Sequence, residues 1–169
     1  ETKFESNVSV GTFTDKADAG TYIFNKNASF ATETIFNTTE TVSFGSDENS
    51  TITFGSTDNY VNFTHTAGMT LITGNLFAND VTLSETSING TVNANDINCG
   101  NTTIAGNVVA NNITLAEITV VENSELKINE TSTDGKITLN GNVISEDAKN
   151  LTLNGNIIVS DQCSSINLN

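Results

Sequence analysis

Proline, tryptophan and arginine are absent from this 169-residue chain, and it has one histidine, one methionine and two cysteines. Each shortage closes a route. Six lysines stand against twenty acidic residues, for a net charge of −14, so there is no basic footprint to displace counterions from nucleic acid. The same balance opposes docking on anionic lipid. No stretch approaches the ~20 apolar residues that span a bilayer, so membrane insertion is not expected. Two cysteines and one histidine are a poor supply of zinc ligands. Runs of Ala, Leu, Lys and Glu at helical spacing are also missing.

What remains is polar without being highly charged. Asn, Thr, Ser and Gly dominate, while charged residues make up only 15%. Phe, Val, Ile and Leu recur along the whole length, which argues against a disordered chain. Thr and the β-branched aliphatics suit pleated, half-buried surfaces. The expected class is all-β, in a single domain over residues 1–169.

Ten Asn-x-Ser/Thr sequons occur, at Asn7, Asn27, Asn37, Asn49, Asn62, Asn89, Asn101, Asn112, Asn129 and Asn150. With 26 Asn and 42 Ser plus Thr, random order would give about six or seven. The excess points to an exported protein that carries N-linked glycans. The chain opens on Glu1 rather than Met, which reads as a processed or excised product.

The main signal is an internal repeat. Three 16-residue units start at Gly74, Gly90 and Gly106 and align without gaps. Their third positions are Leu76, Val92 and Val108, and their fifth are Ala78, Ala94 and Ala110. The sixth are Asn79, Asn95 and Asn111, and the eighth are Val81, Ile97 and Ile113. The tenth are Leu83, Cys99 and Leu115, and the fifteenth are Ile88, Ile104 and Val120. Alternation places positions three, five, eight and ten on one face of short strands, and the Asn-Asp or Asn-Asn step between them makes a corner. A 16-residue unit cannot close a core alone, so equivalent units stack coaxially. The expected fold is a parallel β-helix, or β-solenoid, with turns of about 16 residues. The alternative is a β-sandwich or jelly roll with donor-strand exchange.

Outside the block the pattern loosens. Leu126-x-Ile128 and Ile137-x-Leu139 read as further turns, as do the units from Gly141 and Gly155 with inward pairs Val143/Ser145 and Ile157/Val159. The expected division is a capping or subunit-linking strand at 1–20, Phe-rich turns at 21–73, regular repeats at 74–121 and looser turns at 122–169. Val42-x-Phe44, Ile52-x-Phe54 and Val61-x-Phe63, with Phe24, Phe30 and Phe36, are expected to fill a wider core. Ile166-Asn-Leu168-Asn169 reads as an uncapped strand.

The Gly74–Val121 block resembles the bactofilin family, through Gly74-Asn-Leu76-Phe-Ala78 followed by Val81-Thr-Leu83, and its two copies. The resemblance implies a right-handed β-helix and end-to-end polymerisation, with no catalytic residue. That family lies largely at the cytoplasmic face, whereas the sequons and the Asn- and Thr-rich composition look more like surface adhesin passengers.

Chemistry finds little support. Pectate lyases of this architecture use an arginine base, which is missing, and the polygalacturonase strings do not occur. His65, beside two threonines, reads as a surface or turn residue. Asp47, Glu48 and Asp58 follow Gly45 and Gly55 in successive turns and are candidate calcium ligands. No other cofactor is expected. Thr-x-Thr strings at Thr12, Thr51 and Thr64 do not fall in one repeat column, so no ice-binding ladder is expected. Cys163 lies 64 residues after Cys99, about four turns or roughly 19 Å away at the inter-strand spacing, so the pair should stay unbonded. The expected function is an extracellular structural protein, a self-assembling subunit of a surface filament, sheath or layer. An adhesin-type ligand-binding module is second, and a carbohydrate-active enzyme third.

Overall fold

A computed structural model describes residues 1–15, 20–145 and 149–167 of the chain. The chain winds as a parallel β-solenoid of three faces, with no helix among the described residues. One face stacks Thr2–Phe4, Tyr22–Phe24, Val42–Phe44, residues 70–72, 86–88 and 102–104, Ile118–Val120, Val143–Ser145 and Ile166–Asn167. The second stacks eight strands, from Val8–Val10 and Ala28–Phe30 up to Ser124–Ile128 and Leu151–Asn154. The third runs from Thr34–Ile35 through residues 63–65, 81–83 and 96–99 to Asn112–Leu115, Lys136–Leu139 and Asn156–Val159. The first and third faces join as a 13-stranded sheet because Phe63–Ile72, Asp80–Ile88 and Asp96–Ile104 bend across the corner between them. Among the described residues one pairing is antiparallel, a small hairpin joining Gly55 to Tyr60 and Ser56 to Asn59. The face-packed antiparallel sandwich is thereby excluded.

The columns of the regular block stack as the spacing requires. Leu76 pairs with Val92 and Val92 with Val108. Val81, Ile97 and Ile113 form one column, and Leu83, Cys99 and Leu115 another. Ile88, Ile104 and Val120 form a third, and all but Ala94, which is half-buried, lie in the core. The 16-residue turn is confined to this block. Tyr22 follows Thr2 by 20 residues, Val42 follows Tyr22 by 20, and Thr70 follows Val42 by 28. Beyond the block, Leu126 follows Val108 by 18 and Leu153 follows Leu126 by 27. Extra residues bulge at the corners, where a solenoid tolerates them because the stacked strands keep their register.

Aromatic volume fills the wider turns. Phe4, Phe24 and Phe44 share one column, with ring centroids 4.8 and 5.3 Å apart. Phe30, Phe54 and Phe63 stack at 4.8 and 4.5 Å. Phe36 and Phe13 plug the remaining corner against Tyr22 and Phe30. At Ala78 the column of Phe30 and Phe54 changes to alanine, and the core narrows to aliphatic size. Glycines enforce the close stacking at one corner. A Cβ at Gly90 would meet the Gly74 carbonyl oxygen, and one at Gly106 the Gly90 carbonyl oxygen.

Residues 2–10 form the first turn itself, in parallel register with Tyr22–Phe24 and Ala28–Phe30. Residues 16–19, the 146–148 part of the Gly141 unit, and Leu168 with Asn169 lie outside the described residues.

His65 departs from its expected surface position. It pairs with Leu83 and is fully buried. A two-residue insertion before Met69 separates it from the next column, so the chain spacing does not reveal its partner.

Candidate functional site

The two ends of the solenoid differ from its walls. In the last turn Leu153, Ile157, Val159 and Ile166 continue the inward columns of Leu126, Ile137, Leu139 and Val143. Their predecessors are buried, yet Ile157, Val159 and Ile166 are 47%, 49% and 48% exposed because no described strand stacks above them. Among the described residues the last turn is therefore an apolar floor rimmed by strand edges. At the other end Phe4, Val8, Val10 and Phe13 are half-buried against the core on one side only. Both ends are wide: turns of 20 residues separate Thr2 from Tyr22 and Ile137 from Ile157.

Eight of the ten sequon asparagines are exposed, while Asn62 and Asn129 are half-buried. Their middle residues mostly point inward, as Val8, Ala28, Phe63, Ile113 and Leu151 do, so Asn and Ser/Thr project outward together.

The candidate calcium ligands are not brought together. Asp47 and Glu48 sit in the corner before Thr51–Ser56, and Asp58 sits in the hairpin turn after it, at the opposite edge of the face. The Asp47 carboxylate closes its own turn, accepting the Asn49 and Ser50 amides at 2.9 and 3.1 Å. Among the described residues no group of three or more His, Cys, Asp or Glu side chains converges.

A buried polar knot lies inside the wide turns, and sequence reasoning missed it. Asp15 accepts the Tyr22 hydroxyl at 2.8 Å and the amides of Asn37 and Thr38 at 2.8 and 2.9 Å. His65 Nε2 lies 3.0 Å from the Thr38 carbonyl, an acceptor only, so the proton sits on Nε2. His65 Nδ1 then accepts the Thr70 hydroxyl at 2.8 Å. Burial holds His65 below its ordinary pKa, opposed by the Thr38 carbonyl and by the charge of Asp15. Burial, then the bond to Asp15, pushes the Tyr22 phenol up. The arrangement ties Asp15, Tyr22, Thr38, His65 and Thr70 together across successive turns.

Thr70, Thr86 and Thr102 form an inward column beside it. Buried hydroxyls here and elsewhere bond back to the corner two residues before: Thr34 to Thr32, Thr102 to Gly100 and Ser124 to Glu122. Thr86 Oγ1 alone in the column makes no well-formed hydrogen bond among the described residues, and its polar neighbour is the Cys99 thiol. The neighbouring Cys99 thiol is pushed up to about 12 by burial, with Thr86 opposing to a smaller extent. Cys99 and Cys163 are both free. Three turns separate the Cys99 column position from Val159, rather than the expected four, because the turns lengthen after Leu115.

Outward on the third face, Thr64, Thr82, Asn98, Thr114 and Thr138 share one column. Of the Thr-x-Thr strings only the one at Thr64 enters it; the rest of the column comes from Val-Thr-Leu and Ile-Thr-Leu strands, with Asn98 in place of threonine in one turn. Asp80, Asp96 and Lys136 flank it, so the strip is neither wide nor free of charge. No protein-family model, curated protein or solved structure matches this chain.

Proposed function

We propose that the chain is an extracellular structural protein, a subunit of a surface filament, sheath or layer that assembles through the ends of its solenoid. The observation that carries this reading is the last turn, whose inward columns end in the exposed Ile157, Val159 and Ile166. An apolar column with unpaired strand edges invites the same contacts that every interior turn already makes. Contact between the unlike ends of two copies is heterologous and generates an open fibre rather than a closed ring. Turns of about 20 residues trace a perimeter of roughly 60 Å. Stacking two of them buries on the order of 1,000 Å² in total, close to the minimum for a specific interface. The bactofilin-like repeat supports the same reading, since polymer formation is what that likeness implies.

The register is testable. Continuing the first face across the junction places Lys3 of one copy beside Asn167 of the next, because both belong to one register column and Ile166–Asn167 already fills the place above Val143–Ser145. A Lys3→Cys/Asn167→Cys protein, with Cys163→Ser, should cross-link into ladders on oxidation. Negative-stain images should show fibres with a subunit rise of about 43 Å, nine strand spacings. Strict monomers at high concentration, in both low and high salt, contradict the proposal.

The uncharged column of Thr64, Thr82, Asn98, Thr114 and Thr138 favours one second reading, an adhesin-type module that binds a ligand along the third face. Monomers whose glycan-array binding is lost on Thr114→Lys would select it.

A further inference from the structure

The sequons are not spread evenly around the solenoid. Five of them, Asn7, Asn27, Asn49, Asn89 and Asn150, lie at the corner where the first face passes into the second. They lie one or two residues before the first, second, third, fifth and eighth strands of the second face, counted along the axis. All five are exposed. Among the described residues none of the five donates a hydrogen bond through its side-chain amide nitrogen. Asn27 uses its oxygen instead, accepting the Thr51 amide at 2.8 Å.

Other sequons are occupied by the fold. Asn37 Nδ2 donates to the Asp15 carbonyl at 3.3 Å, and Asn112 Nδ2 donates to Asp96 at 2.8 Å. Asn62 is half-buried, and its oxygen takes hydrogen bonds from the Asn79 side chain and the Asp80 amide. Asn129 is half-buried against the groove beside residues 129–135. Asn101 is exposed and free, at the corner between the third and first faces.

We infer that Asn7, Asn27, Asn49, Asn89 and Asn150 are N-glycosylation sites and that their glycans form one ridge along a single corner of the solenoid. The inference rests on the exported reading above. The donor class is an oligosaccharide linked to a polyprenyl pyrophosphate. The asparagine Nδ2 attacks the anomeric carbon, the bond from that carbon to the pyrophosphate oxygen breaks, and the C–N bond forms. The amide gives up one proton and the lipid pyrophosphate leaves. The linked nitrogen must then project into solvent in the folded chain, which the five corner sites satisfy. Asn101 satisfies it too and adds one glycan opposite the ridge. At Asn37 and Asn112 a glycan would break a hydrogen bond already made by the acceptor nitrogen, and at Asn62 and Asn129 it would have to leave a half-buried position. The ridge leaves most of the third face bare, so lateral contact between copies is directed to that side.

The test is site occupancy in secreted, folded full-length chain. Enzymatic release of the glycans in ¹⁸O water converts each occupied Asn to labelled Asp, read by peptide mass spectrometry. High occupancy is expected at the five corner sites and at Asn101, and at least fivefold less at Asn37, Asn62, Asn112 and Asn129. Equal or greater labelling at those four overturns the ridge while leaving the exported reading intact. No label at any site in material from its native source overturns the ridge together with the glycoprotein reading on which it rests.

Discussion

Residues 1–73 and 74–121 solve the same packing problem with different materials. The first region uses turns of 20 to 29 residues and fills them with stacked and edge-on phenylalanines. The second uses 16-residue turns and fills them with Ile, Val, Leu and Ala. The handover occurs where Phe54 gives way to Ala78 in one column. What matters to the fold is thus continuity of each column, and turn length is free to vary at the corners. A wide core also has room for the Asp15, Tyr22, Thr38, His65 and Thr70 network, which the narrow turns could not house.

The contrast can be broken first in the narrow block. Gly106→Val sets a side chain against the Gly90 carbonyl, where backbone cannot yield, and should cost more than ~4 kcal/mol. Urea unfolding would read this as loss of the cooperative transition. In the wide turns, Phe54→Ala removes a ring held between Phe30 and Phe63 and should cost about 3–5 kcal/mol. A loss below ~1 kcal/mol would mean the aromatic stack is not continuous. Ile113→Val deletes one methylene from a fully buried aliphatic column and should cost ~0.5–1.5 kcal/mol by the same assay.

The smallest effect is set by pH and belongs to the wide turns alone. His65 is held neutral by burial, so its folded pKa lies below the unfolded value near 6.5. Between those two values the unfolded chain binds the extra proton, and stability falls as pH drops through 6.5. The loss is complete below the folded pKa. Asp15, whose charge faces the ring, limits its size. Melting curves from pH 8 to 5 should show this decline, and a His65→Gln protein should lose that part of it. An unchanged decline in the variant would assign it to carboxylates instead.

The regular block was legible because one turn length repeats three times, so Leu83, Cys99 and Leu115 could be aligned by counting. The inward orientation of Cys99 and the free state of both cysteines followed from that register. Position thirteen of the same units was passed over because Thr86 and Thr102 are polar, although they point inward. Their neighbour Thr70 engages a histidine, and Thr102 bonds the Gly100 carbonyl. The Phe-rich turns resisted counting because a hairpin at Gly55–Tyr60 and the insertion after His65 change the offset from turn to turn. Asp47 and Asp58 look adjacent in the chain, but a strand that crosses a whole face holds them apart. The open apolar floor was visible only as strand patterns near the C-terminus, since exposure depends on what stacks above.

Columns running unbroken through both regions are tested most directly by two disulfide pairs, one in each region, placed on the outward side of adjacent strands of the first face. Ile23→Cys with Ser43→Cys probes the wide turns, and Thr103→Cys with Thr119→Cys the narrow ones, each with Cys163→Ser. Neighbouring parallel strands sit about 4.8 Å apart, within reach of a disulfide. Both pairs should close within one chain under mild oxidation, and the mixed pair Ile23→Cys with Thr103→Cys should not. Closure of the Thr103 pair alone would show that the Phe-rich turns do not stack in the same columns, and would contradict the account.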